Sequence, residues 1–156
     1  MQAVRKDRNR INEILGHDSV WPWISDDNTP KNVRYTLGQY FMEEPGTVVL
    51  HPNEYSVFIF RPVNSVTYEA HTNILPSGRG VEAIGAGKGA LKWMFENTPC
   101  QKVITWVPIF NRMASIFARM CGLKREGNAT KSYLKDGELH DQILLGITKE
   151  EFMKCQ

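Results

Sequence analysis

The chain has 156 residues, enough for one domain around one core, and its 42% apolar and 23% charged residues are those of an ordinary folded protein. A formal net charge of +2 is too small to draw a nucleic acid or a membrane surface through bulk electrostatics. Three cysteines, Cys100, Cys121 and Cys155, have no even pairing and no zinc-ligand spacing, which favours reduced thiols in a cytoplasmic setting and no metal site.

The first ten residues are basic, with Arg5, Lys6, Arg8 and Arg10 against Asp7. They read as the solvated face of a helix over residues 4–15, whose inner face carries Val4, Ile11, Ile14 and Leu15 and which Gly16 stops. A basic arm that touches nucleic acid is the lesser reading, because no basic stripe continues along the chain. No apolar segment follows these residues, so no signal peptide is expected. The longest apolar runs also fall short of the ~20 residues that cross a bilayer.

Next comes the apolar-aromatic patch Val20-Trp21-Pro22-Trp23-Ile24, closed by the loop Ser25-Asp26-Asp27-Asn28. Residues 47–50, 55–61 and 65–75 are strand-like, and the short breaks between them favour antiparallel hairpins or a meander. The spacing of Ile84, Leu91, Met94 and Phe95 predicts a helix over 81–97, with Pro99 beyond its end. A buried strand is expected at 102–107 and a helix at 111–121, stopped by Gly122. The tail reads as a strand at 131–134, a turn at Asp136-Gly137 and a last strand at 141–148. Gly85, Gly87 and Gly89 inside the first long helix are a local conflict, each costing about 1 kcal/mol against alanine.

The segment 66–95 is a strand, a glycine-bearing turn and a helix, which makes it a candidate anion site. The first amides of a helix have no partners within it, and glycine lets the backbone approach a phosphate closely. Arg79 adds a cation at the same place. A Walker A loop fails twice, because Glu82 stands at the first glycine position and Gly89 follows Lys88. Gly78-x-Gly80-x-x-Ala83 matches a dinucleotide fingerprint formally. That motif expects a parallel strand–helix–strand unit and a later acid; here the strands read as hairpins and 98–104 holds no acid.

The run Tyr68-Glu69-Ala70-His71-Thr72-Asn73-Ile74-Leu75, followed by Pro76-Ser77-Gly78-Arg79-Gly80-Val81-Glu82-Ala83, resembles the main motif of the GNAT acyltransferase superfamily. In that motif a strand precedes an R-G-x-G-x-G/A loop that opens a helix. Glu82 and Ile84 depart from it, standing where glycine or alanine is common, and Gly85 restores one of them with a shift of register. About 30 residues on, Asn111-Arg112-Met113-Ala114-Ser115-Ile116-Phe117-Ala118-Arg119-Met120-Cys121-Gly122-Leu123 is similar to a second family segment, N-x-x-A-x-x-(apolar)-Y-x-x-x-G-F. His71-Thr72-Asn73-Ile74-Leu75-Pro76 and Trp21-Pro22-Trp23 also look like phage-encoded members, some of which resemble head-assembly proteins of short-tailed phages.

The resemblance covers residues 8–150 and implies an α/β (α+β) fold, with a mixed, mostly antiparallel sheet flanked by helices and a splayed central strand pair. Over a single domain of residues 1–156 it implies transfer of an acetyl group from acetyl-CoA to a small-molecule or protein amine, by direct attack. Ile74 and Leu75 would border the gap that holds the pantetheine arm, and the amides of Arg79, Gly80, Val81, Glu82 and Ala83 would hold the pyrophosphate. Asn111 suits a helix N-cap as well as a cofactor contact. Trp21 and Trp23 would wall the acceptor site, with burial in the core as the alternative.

Glu69 and His71 share one strand face and are the candidate bases for the attacking amine. The tyrosine that usually protonates the departing thiolate is Ala118 here, and Tyr133 is the candidate substitute. The alternative implied by the same resemblance is a non-catalytic GNAT-fold phage structural or head-assembly protein with virion partners.

Overall fold

Apolar alternation decides which side of the sheet each strand residue faces. In β1 (Val48–Asn53) and β2 (Ser56–Pro62), Leu50, Phe58 and Phe60 join one buried cluster while Val49, Val57 and Ile59 join another. Both faces of the sheet are therefore covered, which is why Val57-Phe58-Ile59-Phe60 reads as an unbroken apolar run. The computed structural model describes residues 7–156; Val4, Arg5 and Lys6 of the expected basic helix lie outside them.

Six strands form one sheet in the order β1-β2-β3-β4-β6-β5, where β3 is Thr67–Ile74, β4 Lys102–Pro108, β5 Lys124–Lys135 and β6 Glu138–Thr148. Every neighbouring pair is antiparallel except β3 and β4. Helices α1 (Arg8–Gly16) and α3 (Leu37–Glu43) cover one face with the single turn α2 (Trp21–Ile24), burying Ile11, Ile14, Leu15 and Val20. Helices α4 (Val81–Asn97), α5 (Arg112–Met120) and α6 (Lys149–Lys154) cover the other with Ala90, Leu91, Met94, Phe95, Ala118 and Phe152.

Several expectations are corrected. The strand expected at 131–134 begins at Lys124; register shifts between Arg125 and Gly127 and between Ala129 and Tyr133, with Lys131 at φ 50°, break its period-two pattern. The last strand begins at Glu138 rather than 141. Helices α3 and α6 and a short 3-10 turn at Lys31–Val33 arise where no element was expected. The hairpins also give way to a crossover after β3: β3, α4 and β4 form a parallel strand–helix–strand unit. One ground for setting the dinucleotide fingerprint aside therefore fails, although the missing acid still stands.

The glycines of α4 divide by surroundings. A Cβ on Gly87 would lie 2.7 Å from the Cys121 sulfur and 2.8 Å from Phe117 Cζ, so Gly87 lets α4 and α5 touch. A Cβ on Gly85 would meet nothing within 4 Å. Gly85→Ala should accordingly raise stability by about 1 kcal/mol, seen as a Tm increase of roughly 2–4 °C. Gly87→Ala should lower Tm, and calorimetry of both variants checks the contrast.

Candidate functional site

The site begins with a fork in the sheet. β3 pairs with β4 at only three positions, Thr67–Lys102, Tyr68–Val103 and Glu69–Ile104. Beyond them each strand keeps its outer partner: β3 stays on β2 as far as Ile74–Ser56, and β4 stays on β6 as far as Pro108–Gln142. The Leu75 amide donates to the Tyr55 carbonyl at 2.9 Å. Alternation along the ladder then turns the backbone groups of Asn73, His71 and Glu69 to β2, and those of Ala70, Thr72 and Ile74 into the gap. At the crotch, the Thr105 hydroxyl donates to the Ala70 carbonyl at 3.0 Å.

The gap opens into a cleft of about 400 Å³. Its walls are Thr72, Asn73 and Ile74 of β3, Arg79, Gly80, Ala83 and Ile84 at the start of α4, Val20, Trp23 and Ile24 around α2, and the face of α5 with Asn111, Met113, Ala114, Ile116, Phe117 and Met120. Phe110, after β4, completes the mouth. Asn73 and Ile74 project to opposite sides of β3, so the cleft reaches both faces of the sheet.

At its floor, Gly80 is the N-cap of α4 at φ 99° and ψ −145°, a conformation for which glycine is the permissive residue. No side chain caps this end. The first intrahelical bond is from the Ile84 amide to the Gly80 carbonyl at 3.2 Å, so the amides of Val81, Glu82 and Ala83 have no acceptor within the helix. The Arg79 side chain leans across the rim, with Nε 3.4 Å from the Ile74 carbonyl oxygen and Nη2 3.5 Å from that of Ser19.

Of the cofactor residues expected from sequence, Ile74, Arg79, Gly80, Ala83 and Asn111 line the cleft. Leu75 is buried in the cluster under α1, while the side chains of Val81 and Glu82 point into solvent. The Asn111 oxygen accepts the Ala114 amide at 3.2 Å and caps α5. Trp23 lines the cleft half-exposed; Trp21 instead lies beside the Arg34 guanidinium.

Glu69 and His71 lie on the α3 side of β3, outside the cleft lining. His71 stacks on Phe41, with ring centroids 6.5 Å apart, and its Nε2 stands 3.7 Å from Glu69 Oε1. The imidazole keeps 39% of its side-chain surface, yet Nε2 itself is out of water and has no hydrogen-bond partner. Burial at that atom is the larger influence and pushes the imidazolium down from its ordinary range, with Glu69 opposing and Arg61 assisting. Arg61 makes a two-pronged contact to Glu44, at 2.9 Å and 2.5 Å, and its hydrogen bond holds that carboxyl below the usual range.

Tyr133 donates to the Ser25 carbonyl at 3.3 Å, and its ring lies 6.0 Å from that of Phe110. Burial first, then Asp26 and Asp27, raise its phenol, which stays protonated at neutral pH.

Sequence reasoning did not find the clamp that holds α2 in place. The Asp27 carboxylate accepts the amides of Asp136 and Gly137 at 2.8 Å and 2.7 Å, and Lys135 Nζ donates to the carbonyls of Pro22 and Ser25 at 2.8 Å and 2.6 Å. These bonds fasten the loop that carries Trp23 to the β5–β6 hairpin. The turn at Asp136-Gly137 was legible, but its partner lies far away in sequence. No three His, Cys, Asp or Glu side chains among the described residues could hold a metal ion, and no described helix is long and apolar enough to cross a membrane.

Residues 47–155, from the start of the sheet to α6, match the family described as "Protein of unknown function (DUF2824)". The chain belongs to that family. No curated protein matches it. Among solved structures, a GNAT-family acetyltransferase from Bacillus anthracis superposes with a TM-score of 0.72 at 19% identity, over 93% of this chain and 90% of that one. Spermidine N-acetyltransferase from Vibrio cholerae, in complex with CoA and spermine, gives 0.67 at 16% identity, over 94% and 88%. The DUF2824 chain therefore has the fold of GNAT acetyltransferases, including the expected splay of β3 from β4.

The buried Nε2 of His71 makes stability depend on pH. The unfolded chain protonates His71 near pH 6.5, whereas the folded protein resists the proton. The stabilising difference is complete above that value and is lost as pH falls below it. Tm should decline from pH 7 to pH 5, with a shallower decline in His71→Gln; parallel curves would mean that His71 titrates normally.

Proposed function

We propose that the chain binds an acyl-CoA in the fork between β3 and β4 and transfers the acyl group to an amine. The observation that carries this reading is the conjunction of the fork with the uncapped start of α4 in one cleft. Backbone groups of Thr72, and the Ile74 carbonyl once Arg79 leaves it, could bond an extended amide-bearing arm, as a missing neighbour strand would. The helix start offers amides and a partial positive charge to a pyrophosphate, with Gly80 allowing close approach and Arg79 beside it. Binding requires Arg79 to exchange its two long contacts for the phosphate.

The donor in this reading is acetyl-CoA or a close relative. The amine attacks the thioester carbonyl carbon directly, the tetrahedral intermediate collapses, and the carbon–sulfur bond breaks to release the thiolate. The amine must first be neutral. His71 is the base assigned here: burial keeps it unprotonated at neutral pH, and it sits two residues below Asn73 on the same face, about 7 Å along the strand. A bridging water would carry the proton to Nδ1, since Nε2 is out of water on the Glu69 side, and Glu69 would hold the imidazolium once formed. Glu44, Glu69 and Arg61 around a neutral imidazole leave one net negative charge, which suits a cationic amine. The Vibrio cholerae structure holds spermine, so a polyamine is the first acceptor to try.

Ala118 has no proton to give. Tyr133, one ring removed from the cleft through Phe110, is the donor assigned to the thiolate.

Acetyl-CoA should raise Tm, as a ligand selective for the folded state must, and Gly80→Glu should abolish the shift. With spermine as acceptor, His71→Ala should lower kcat by on the order of a hundredfold. Absence of a thermal shift with the intact protein rejects the reading.

A second reading, a non-catalytic phage structural or head-assembly protein, draws support from α5. Met113, Ile116 and Met120 are 68%, 55% and 54% exposed along one stripe of that helix. It predicts no response to acetyl-CoA and retention of the protein in purified particles.

A further inference from the structure

We propose that a small apolar cavity beneath Ala118 is an acyl-chain subsite, so that the favoured donor carries a three- or four-carbon acyl group rather than acetyl. The inference rests on the CoA-thioester reading above and extends it to the acyl chain. The cavity, of about 50 Å³, lies between the sheet and helices α4 and α5. It shares Thr72, Ala114 and Phe117 with the main cleft, so these three side chains form a common wall between the two spaces beside the free part of β3. A thioester held by the gap-facing groups of Thr72 would stand at that shared wall.

The remaining lining is chemically quiet. Leu91, Val103 and Val107 contribute hydrocarbon. The hydroxyl of Thr105 is spent on the Ala70 carbonyl at 3.0 Å. The Cys121 thiol is pushed up to about 11 by burial, so it stays neutral at physiological pH. Water needs two or more polar partners to settle in such a space, whereas methylene groups need none.

Size sets the chain length. About 50 Å³ holds roughly two groups of the size of a water molecule, whose share of liquid volume is about 30 Å³. Two residues keep the space open. Ala118 ends at its Cβ, and Gly87 leaves room for Phe117, which lies over Phe58 with centroids 6.5 Å apart. A larger side chain at 118 would occupy the volume that the acyl chain is proposed to fill.

The test is calorimetric titration of the full chain with CoA, acetyl-CoA, propionyl-CoA, butyryl-CoA and hexanoyl-CoA. Each methylene that enters should tighten binding about fourfold, giving about sixteenfold from acetyl to butyryl, with no further gain at hexanoyl. In Ala118→Leu the butyryl-to-acetyl ratio should fall to about one, and in the milder Ala118→Val it should fall part-way. Equal affinity for acetyl and butyryl in the unmodified protein overturns the subsite and leaves the CoA reading standing. A chain-length preference that survives both substitutions overturns its location. Absence of heat with CoA and every ester overturns the CoA reading, and the subsite with it.

Discussion

Two parallel strands that pair at three positions and then part leave hydrogen-bonding groups in the middle of a sheet with no strand opposite. Buried backbone groups are nearly always paired, so such a gap must be filled by water, by a side chain or by something that binds there. Thr105 closes its lowest point, at Ala70, and Arg79 reaches the Ile74 carbonyl at the other end. The fork stays open because neither strand is free to swing: β2 holds β3 along its length, and β6 does the same for β4. The proposed ligand would thus enter a gap already formed, at little ordering cost.

The same register distributes the chemistry. Side chains alternate with period two, so the residues that send backbone groups into the gap, Ala70, Thr72 and Ile74, turn their side chains toward α4 and α5. Glu69 and His71 turn toward α3. A slip of one residue between β2 and β3 would place the charged pair against Met94 and Phe95 and the apolar set against Arg61 and Glu44. Val57, Phe58, Ile59 and Phe60, buried on both sides, lock that register. The separation of an apolar side of β3 from a charged one therefore follows from core packing in β2, which is not itself part of the cleft.

Much of this was legible in the sequence, unevenly and for physical reasons. β2, α4, β4 and α5 were placed closely because each keeps a clean period or a long apolar run. β5 was not: its bulges interrupt alternation and most of its side chains face water. Helix α3 is two turns long, and its Gly38 packs so closely on α1 that a Cβ would lie 2.6 Å from Ile11 Cγ2, a contact between distant segments that carries no local signal. Helix α6 did carry one, the Thr148-x-x-Glu151 capping box, which begins at the residue read as the end of the last strand. In the site, Arg79 and Gly80 were readable from the loop. The turn of the helix then decided that Ala83 faces the cleft and that the side chains of Val81 and Glu82 face away.

Asp27 and Gly87 show why the rest was hidden. Neither lies in a recognisable motif, and each acts by fixing how closely two elements approach. Asp27 binds the hairpin turn and so sets where Trp23 stands. Gly87 admits Phe117 and Cys121 to the surface of α4 and so sets the depth at which α5 lies on the sheet. That depth decides whether the residue at 118 fills the space under the fork or leaves it open. In a core of near-crystalline packing density, a missing methyl at Gly87 and a short side chain at Ala118 translate into usable volume elsewhere. The shape of this cleft is thus written in the smallest residues of the helices that cover it.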